Sequence, residues 1–360
     1  MKVVIIGAGV AGLSIGWKLR EGGADVLILE RAQPARAATW AAAGMIAPTA
    51  ETAHAHPDET PFARRSAALW PEFAAKIEEK SGRKIGYRRD GALMVARSED
   101  EARQIASRSN RELLTADEAR AREPLLGSAI AGALWDAEEA QVDSRALGAA
   151  LTNVFVRAGG KLSVNEAAVR IEVGDGWLGA TTPFTTHVAD KVLVAAGAWS
   201  GRIEMDDNVL PPVRPVKGEV LALVPPQGAL LPAQVVWGNG VYLVPREGRL
   251  LIGATMEEVG FDTRLTDAAE NWLTDRAVSL MPSLANWTID EHWAGLRPAA
   301  PDGLPVLGET SVKNLFVATG QFRNGILFAP AVAETVSRLI LGLDAPEIRA
   351  FSPQRFGKAP

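Results

Sequence analysis

The chain has 360 residues, enough for about two domains, and 47% of them are hydrophobic, which is ample to fill the cores. Its 38 Lys and Arg against 43 Asp and Glu leave a net charge of −5, which gives no support to a nucleic-acid or anionic-membrane surface. There is no cysteine, which excludes disulfides, thiolate metal sites, a cysteine nucleophile and any cofactor attached through a cysteine thioether.

Lys2 followed by an apolar run to Trp17 imitates a signal peptide. The run is too short and too glycine-rich to span a membrane, and no small-x-small cleavage site follows it. A soluble, cytoplasmic protein with no membrane span is expected. Val3–Ile6 reads as a buried parallel strand, followed by a helix to about Glu21. Gly22 and Gly23 end that helix, and Asp25–Leu29 is a second strand, so the opening is a βαβ unit. Ala35–Ala43 is a small-residue loop able to lie close against a ligand. His54 and His56 are close in sequence but fit no metal-ligand pattern; they read as loop residues, and no metal is expected. Phe62, Ser66, Leu69, Trp70, Phe73 and Ile77 recur at helical spacing.

Gly91–Ala96 is expected as a strand and Glu99–Asn110 as a helix. Val192–Ala196 is a fully apolar strand ending at Gly197. Glu219–Val224, Val235–Trp237, Tyr242–Val244 and Leu250–Ile252 read as antiparallel strands, with hairpin turns at Gly238-Asn239-Gly240 and Glu247-Gly248. Thr263–Met281 is helical. The end returns to strand Leu315–Ala318, a turn at Gly320, and helix Gly325–Leu341 stopped by Gly342. The expected fold class is α/β: a discontinuous dinucleotide-binding domain (1–83, 139–214 and 295–360) with an inserted antiparallel substrate domain (84–138 and 215–294).

Gly7-x-Gly9-x-x-Gly12 stands between the first strand and helix. Gly7 permits the tight turn, Gly9 lets a pyrophosphate reach the backbone, and Gly12 allows close helix–strand packing. The helix N-terminus offers unpaired N–H groups and a positive dipole end. Glu30 closes the second strand about twenty residues on, where a carboxylate holds ribose hydroxyls and disfavours a 2′-phosphate. Gly12-Leu13-Ser14-Ile15-Gly16 also matches the GxSxG elbow of serine hydrolases. That elbow needs its serine on the turn directly after the strand, whereas Ser14 falls in the second helical turn and reads as a packing residue.

The opening GAGVAGLSIGWKL, Glu30, and Thr39-Trp40-Ala41-Ala42-Ala43-Gly44-Met45 resemble the D-amino-acid oxidase superfamily of FAD-dependent oxidoreductases. The resemblance is nearest to its glycine-oxidase branch, which is associated with thiamine thiazole synthesis. Ala195-Ala196-Gly197-Ala198-Trp199-Ser200, Val241–Arg246, Gly253–Met256, Gly295-Leu296-Arg297-Pro298, Asp302–Pro305 and Gly320–Leu327 follow in the family's order. The resemblance implies FAD contacts from Gly7, Gly9, Val10, Ala11, Gly12, Glu30 and Arg31. It implies others from Thr39, Ala42, Ala43, Gly44, Met45, Val169, Ala196, Gly197 and Trp199. Arg297, Arg323, Asn324, Gly325, Ile326 and Leu327 complete the set, the last turn facing the flavin N1–C2 carbonyl. Sarcosine-oxidase relatives attach flavin through a cysteine, so non-covalent FAD is expected here.

The family resemblance makes Arg297 the anchor of an amino-acid carboxylate, a task suited to a guanidinium fork. Tyr242 would add its hydroxyl, Met45 and Met256 would wall the pocket, and Arg323 would support substrate or flavin. The implied reaction is oxidation of glycine or a similar small amine such as sarcosine or D-alanine, by hydride transfer to the flavin, with oxygen as acceptor. The alternatives are a D-amino-acid or proline dehydrogenase using another acceptor, an NAD-dependent dehydrogenase, and a flavoprotein without catalytic activity. Gln321-Phe322 departs from the His-Tyr often found in the glycine branch, which leaves the substrate preference open. A homo-oligomer is implied by the same resemblance.

Overall fold

The computed structural model describes residues 1–51, 56–107, 111–205 and 209–357. His54 and the last residues of the helix expected to reach Asn110 lie outside these ranges. The opening strand Lys2–Ile6 is buried from Val3 onward, as its unbroken apolar run requires. It pairs in parallel with Asp25–Leu29 on one side and Lys191–Val194 on the other. The resulting six-stranded sheet runs Val306–Glu309, Leu315–Thr319, Lys191–Val194, Lys2–Ile6, Asp25–Leu29 and Lys161–Ser163. Helices Val10–Glu21, Ser144–Arg157 and Ala329–Ile340 join it in one core with Trp17, Phe155 and Phe328 fully buried. That layering is the dinucleotide-binding architecture, and it places the ligand crevice at the carboxyl ends of the strands.

A second sheet has eight strands, in the order Thr288–Ala299, Arg214–Val224, Arg249–Gly253, Val241–Arg246, Val235–Gly238, Ala92–Ala96, Gly132–Asp136 and Glu112–Thr115. Its pairings are antiparallel except where Val235–Gly238 meets Ala92–Ala96 in parallel. Helix Asp267–Leu280 packs Leu273, Ala277 and Leu280 into this sheet's own core. The expected α/β class with an antiparallel sheet is the one observed.

Several boundaries differ from expectation. The small-residue loop contains a short helix, Ala38–Ala41. The last helix begins at Ala329, not Gly325, because residues 321–328 form a turn in which Phe322 takes φ 45°. The Gly295–Pro298 motif lies inside a long strand, Thr288–Ala299, which pairs along its length with Arg214–Val224. Among the described residues no helix is long and apolar enough to cross a membrane.

Candidate active site

A cavity of about 580 Å³ runs from the opening glycine turn to the second sheet. At its nucleotide end, Gly7 has φ +106°, and a Cβ there would collide with the carbonyl of Ala195, just past the neighbouring strand Lys191–Val194. A Cβ at Gly12 would strike the Gly7 carbonyl, so only glycine lets the helix sit this close to the strand. Thr39 Oγ1 accepts the Val10 N–H at 2.9 Å and thereby caps the helix from another segment. The N–H groups of Gly9 and Ala11 reach no acceptor among the described residues and remain available at the positive end of the helix.

Glu30 accepts the N–H groups of Ala8 at 2.8 Å and Ala32 at 3.0 Å, which fixes its carboxylate at the end of the second strand. Next to it, the Arg31 guanidinium lies 3.5 Å from the Trp199 ring centroid. Burial holds the Arg31 pKa below its ordinary value, with the Glu30 charge opposing. Val169, Ala196 and Gly197 line the same end. The stretch Ala42, Ala43, Gly44 and Met45 forms the middle wall. Arg246 holds that wall by donating to the carbonyls of Ala43 and Val142, and its burial lowers its pKa to about 10.

At the other end Arg297 rises from the strand Thr288–Ala299. Its Nη1 donates to the carbonyls of Thr255 at 3.1 Å and Lys217 at 3.3 Å. The guanidinium lies over Gly218, where any Cβ would occupy its place. The Tyr242 side chain crosses its register partner Gly253 in the same way and lies beside Arg297, with which it interacts electrostatically. Burial raises the tyrosine's pKa and lowers the arginine's, so at neutral pH the phenol keeps its proton. Behind them, the buried Lys217 and Glu219 pair at 2.7 Å, and Glu219 accepts from Thr266 N–H and Oγ1, both at 3.1 Å.

The turn 321–328 closes the cavity. Phe322 N–H donates to Pro298 O at 2.9 Å, tying this turn to the arginine-bearing strand. Ser66 and Trp70 of the helix Glu59–Ser81 both donate to the Leu327 carbonyl, at 2.7 and 3.0 Å. Gly325 and Ile326 line the cavity, and their N–H groups reach no acceptor among the described residues. Gln321 also lines it, with a buried Nε2 that lacks a partner. Arg323 enters the lining from its half-exposed position and meets Glu51, Nε to Oε2, at 2.7 Å.

Most expected contacts therefore meet at one cavity, and four stand apart from its lining. Gly12 packs beneath the turn. Asn324 points away and donates to Glu59 Oε1 at 2.7 Å, while Leu327 is buried in the core and supplies its carbonyl to Ser66 and Trp70. Met256 is 63% exposed and lies outside the cavity lining. Met45 does line the cavity. Glu51, Gly218, Gln321 and Arg246 were not named as site residues from the sequence. Two of them carried a signal: Arg246 at the end of the Val241–Arg246 segment, and Gln321 in the Gln321-Phe322 departure from the family pattern. Among the described residues no three His, Asp or Glu side chains gather as metal ligands.

An FAD fits these residues: a glycine turn open to a pyrophosphate, a fixed carboxylate for ribose, and unpaired backbone and amide donors at the far turn. The family described as FAD dependent oxidoreductase, DAO, matches residues 2–339. The chain belongs to that family. A bifunctional ThiO/ThiG protein of Synechocystis is 37% identical over 98% of this chain and 54% of its own. The chain thus spans about half the length of the bifunctional relatives it matches. A glycine oxidase of Geobacillus kaustophilus is 35% identical over 94% of this chain and 92% of its own. The crystal structure of glycine oxidase from that organism superposes with a TM-score of 0.93, covering 98% of each chain at 34% identity. The FAD-dependent oxidoreductase fold and its two sheets are therefore those of this family.

Proposed function

We propose that this protein oxidises glycine or a similarly small amine, such as sarcosine or D-alanine, to the imine, with oxygen as acceptor and hydrogen peroxide as second product. The observation that carries the reading is the Arg297 fork, set beside Tyr242 and held over Gly218, at the end of a cavity whose other end is built for a dinucleotide. A guanidinium in that setting binds a carboxylate with two parallel charge-assisted hydrogen bonds, and the tyrosine hydroxyl adds a third donor. A non-covalently bound FAD, held by the glycine turn, Glu30 and the 321–326 turn, would supply the two-electron redox chemistry. The chain's part is orientation and shielding. Arg297 and Tyr242 fix the carboxylate, the Ala42–Met45 wall limits the volume, and the 321–326 turn excludes water. No side chain has to take a proton from Cα, because that hydrogen leaves as hydride from an amine that is already neutral.

The names of the glycine-oxidase relatives support this substrate class. We assign residues 1–83, 139–214 and 295–360 to the FAD-binding domain and 84–138 and 215–294 to the substrate domain. A cytoplasmic homo-oligomer belongs to the same reading. Mixing the yellow protein anaerobically with glycine, sarcosine, D-alanine or proline tests it. Bleaching of the visible flavin band by a small amine, followed by peroxide release on admitting air, is the expected result. A flavin that no amine reduces would refute the substrate class, and bleaching without peroxide would refute oxygen as acceptor.

A further inference from the structure

Three charged side chains face one another around Tyr242: Arg297, Arg323 and Glu51. Arg297 has no carboxylate partner among the described residues and donates only to neutral groups. Arg323 does have one. Its Nε is 2.7 Å from Glu51 Oε2, yet the approach is out of line for a hydrogen bond, and that oxygen is buried without any other partner. The two members are unequally placed: the Arg323 side chain is 40% exposed, whereas that of Glu51 is 5% exposed and lines the cavity. An arginine that exposed needs no counter-ion, because water solvates it. A buried carboxylate costs several kcal/mol unless a charge opposes it. The pair therefore exists on the glutamate's account, and its effect falls on whatever shares the cavity.

We propose that Glu51 sets the substrate charge this site accepts: by neutralising Arg323 it leaves Arg297, of the two guanidinium groups around Tyr242, free to take a carboxylate, so a substrate with one carboxylate is held and one with two is turned away. The assignment rests on the reading of Arg297 as the carboxylate anchor. The net charge around Tyr242 is then +1, which matches an amino acid whose amine is neutral and whose carboxylate is ionised. A second carboxylate would have to displace Glu51 from Arg323 or lie beside it, and like charges this close in a buried site repel strongly.

The test titrates the FAD-loaded enzyme with two ethers that it cannot oxidise as amines, methoxyacetate with one carboxylate and diglycolate with two, following the visible flavin band. The native enzyme is expected to bind methoxyacetate and to bind diglycolate far more weakly. In Glu51→Gln the diglycolate-to-methoxyacetate affinity ratio should rise about tenfold or more, equivalent to about 1.4 kcal/mol. Adding Arg323→Gln to that variant should cancel the gain. Arg323→Gln alone should weaken methoxyacetate binding severalfold, because the Glu51 charge then stands unopposed beside Arg297. A ratio that stays at the native value in flavin-loaded Glu51→Gln overturns the assignment. Should that variant not hold flavin, the Arg323→Gln arm decides, and undiminished methoxyacetate binding there overturns it equally. Methoxyacetate that binds no form of the enzyme would instead remove the carboxylate anchor, and the assignment with it.

Discussion

The Arg297 guanidinium is held by its surroundings before any substrate arrives. Two carbonyls accept from Nη1, Gly218 leaves room beneath the fork, and the tyrosine opposite Gly253 reaches it from the side. Little ordering is left to be done on binding, which favours affinity. Lysine at this position keeps the charge and loses both the fork and the two carbonyl contacts. Arg297→Lys should raise KM for glycine by about ten- to a hundredfold, in line with about 1.5–3 kcal/mol for a hydrogen bond to a charged group. Steady-state kinetics check this, and an unchanged KM would remove the anchor role. Arg297 and Tyr242 were legible because each sits in a motif. Glu51 and Gly218 were not, and Gly253 stands in a motif that does not reveal its role, because the importance of all three lies across space. Gly218 matters through a diagonal neighbour on the next strand, and Gly253 through its partner in register. Neither relation exists in the sequence until the pairing is fixed. Glu51 comes from a segment with no periodicity, and nothing local announces that it turns inward.

At the scale of elements, the opening βαβ unit was the most readable part, because strand, glycine turn and helix each impose a pattern the others confirm. The boundaries missed have specific causes. The helix Ser144–Arg157, capped by Asp143 through the N–H groups of Arg145 and Ala146, carries no long polar face, since Leu147, Leu151, Val154 and Phe155 are buried under the sheet. The strands Arg170–Gly174, Trp177–Thr181 and Thr186–Ala189 form a small sheet whose exposed positions include Val173, Trp177 and Val188, which blurs the usual alternation. Residues 325–328 were expected to open the last helix, but they belong to the turn 321–328, which is held by contacts from elsewhere, at Pro298, Ser66 and Trp70. The glycine turn gives the prediction at this scale. Alanine at Gly7 would need a φ of +106° and would press on the Ala195 carbonyl. The positive φ alone costs about 1 kcal/mol, and the collision adds to it by pushing the turn away from the pyrophosphate path. Gly7→Ala should weaken FAD binding at least about tenfold, the equivalent of about 1.4 kcal/mol, measured by titrating flavin into the apoprotein. Native FAD affinity in that variant would show that the turn tolerates a side chain and that the pyrophosphate passes elsewhere.

For the molecule as a whole, the joint between the two sheets contains a buried acid that ties pH to stability. Glu139 follows the strand Gly132–Asp136 of the eight-stranded sheet and accepts the N–H groups of Thr49 and Ala50, at 3.0 and 2.8 Å, from the segment that leads to Glu51. It is 2% exposed, and burial raises its pKa to about 8, with the charges of Asp136 and Glu51 adding to the rise and the two N–H donors opposing it. In the unfolded chain a glutamate titrates near 4.3. Between that value and about 8 the folded protein keeps a proton that the unfolded chain has lost. The unfolded state then binds fewer protons, so this residue's contribution to stability falls as pH rises across the window and levels off above it. Burial likewise raises the pKa of Glu51 and Glu59, which add slopes of the same sign, so the native curve contains more than one such group. Glutamine at position 139 isolates a single slope. Its oxygen keeps both backbone hydrogen bonds, and it has no proton to lose. Glu139→Gln should match the native protein near pH 4.5–5 and become progressively more heat-stable relative to it toward pH 8, by an amount on the order of a few kcal/mol at the top of the window. Thermal unfolding of both proteins across that range measures the difference. Two melting curves that stay parallel from pH 5 to pH 8 would mean that Glu139 ionises alike in both states, and the joint would then have to be held by a carboxylate that is charged at neutral pH.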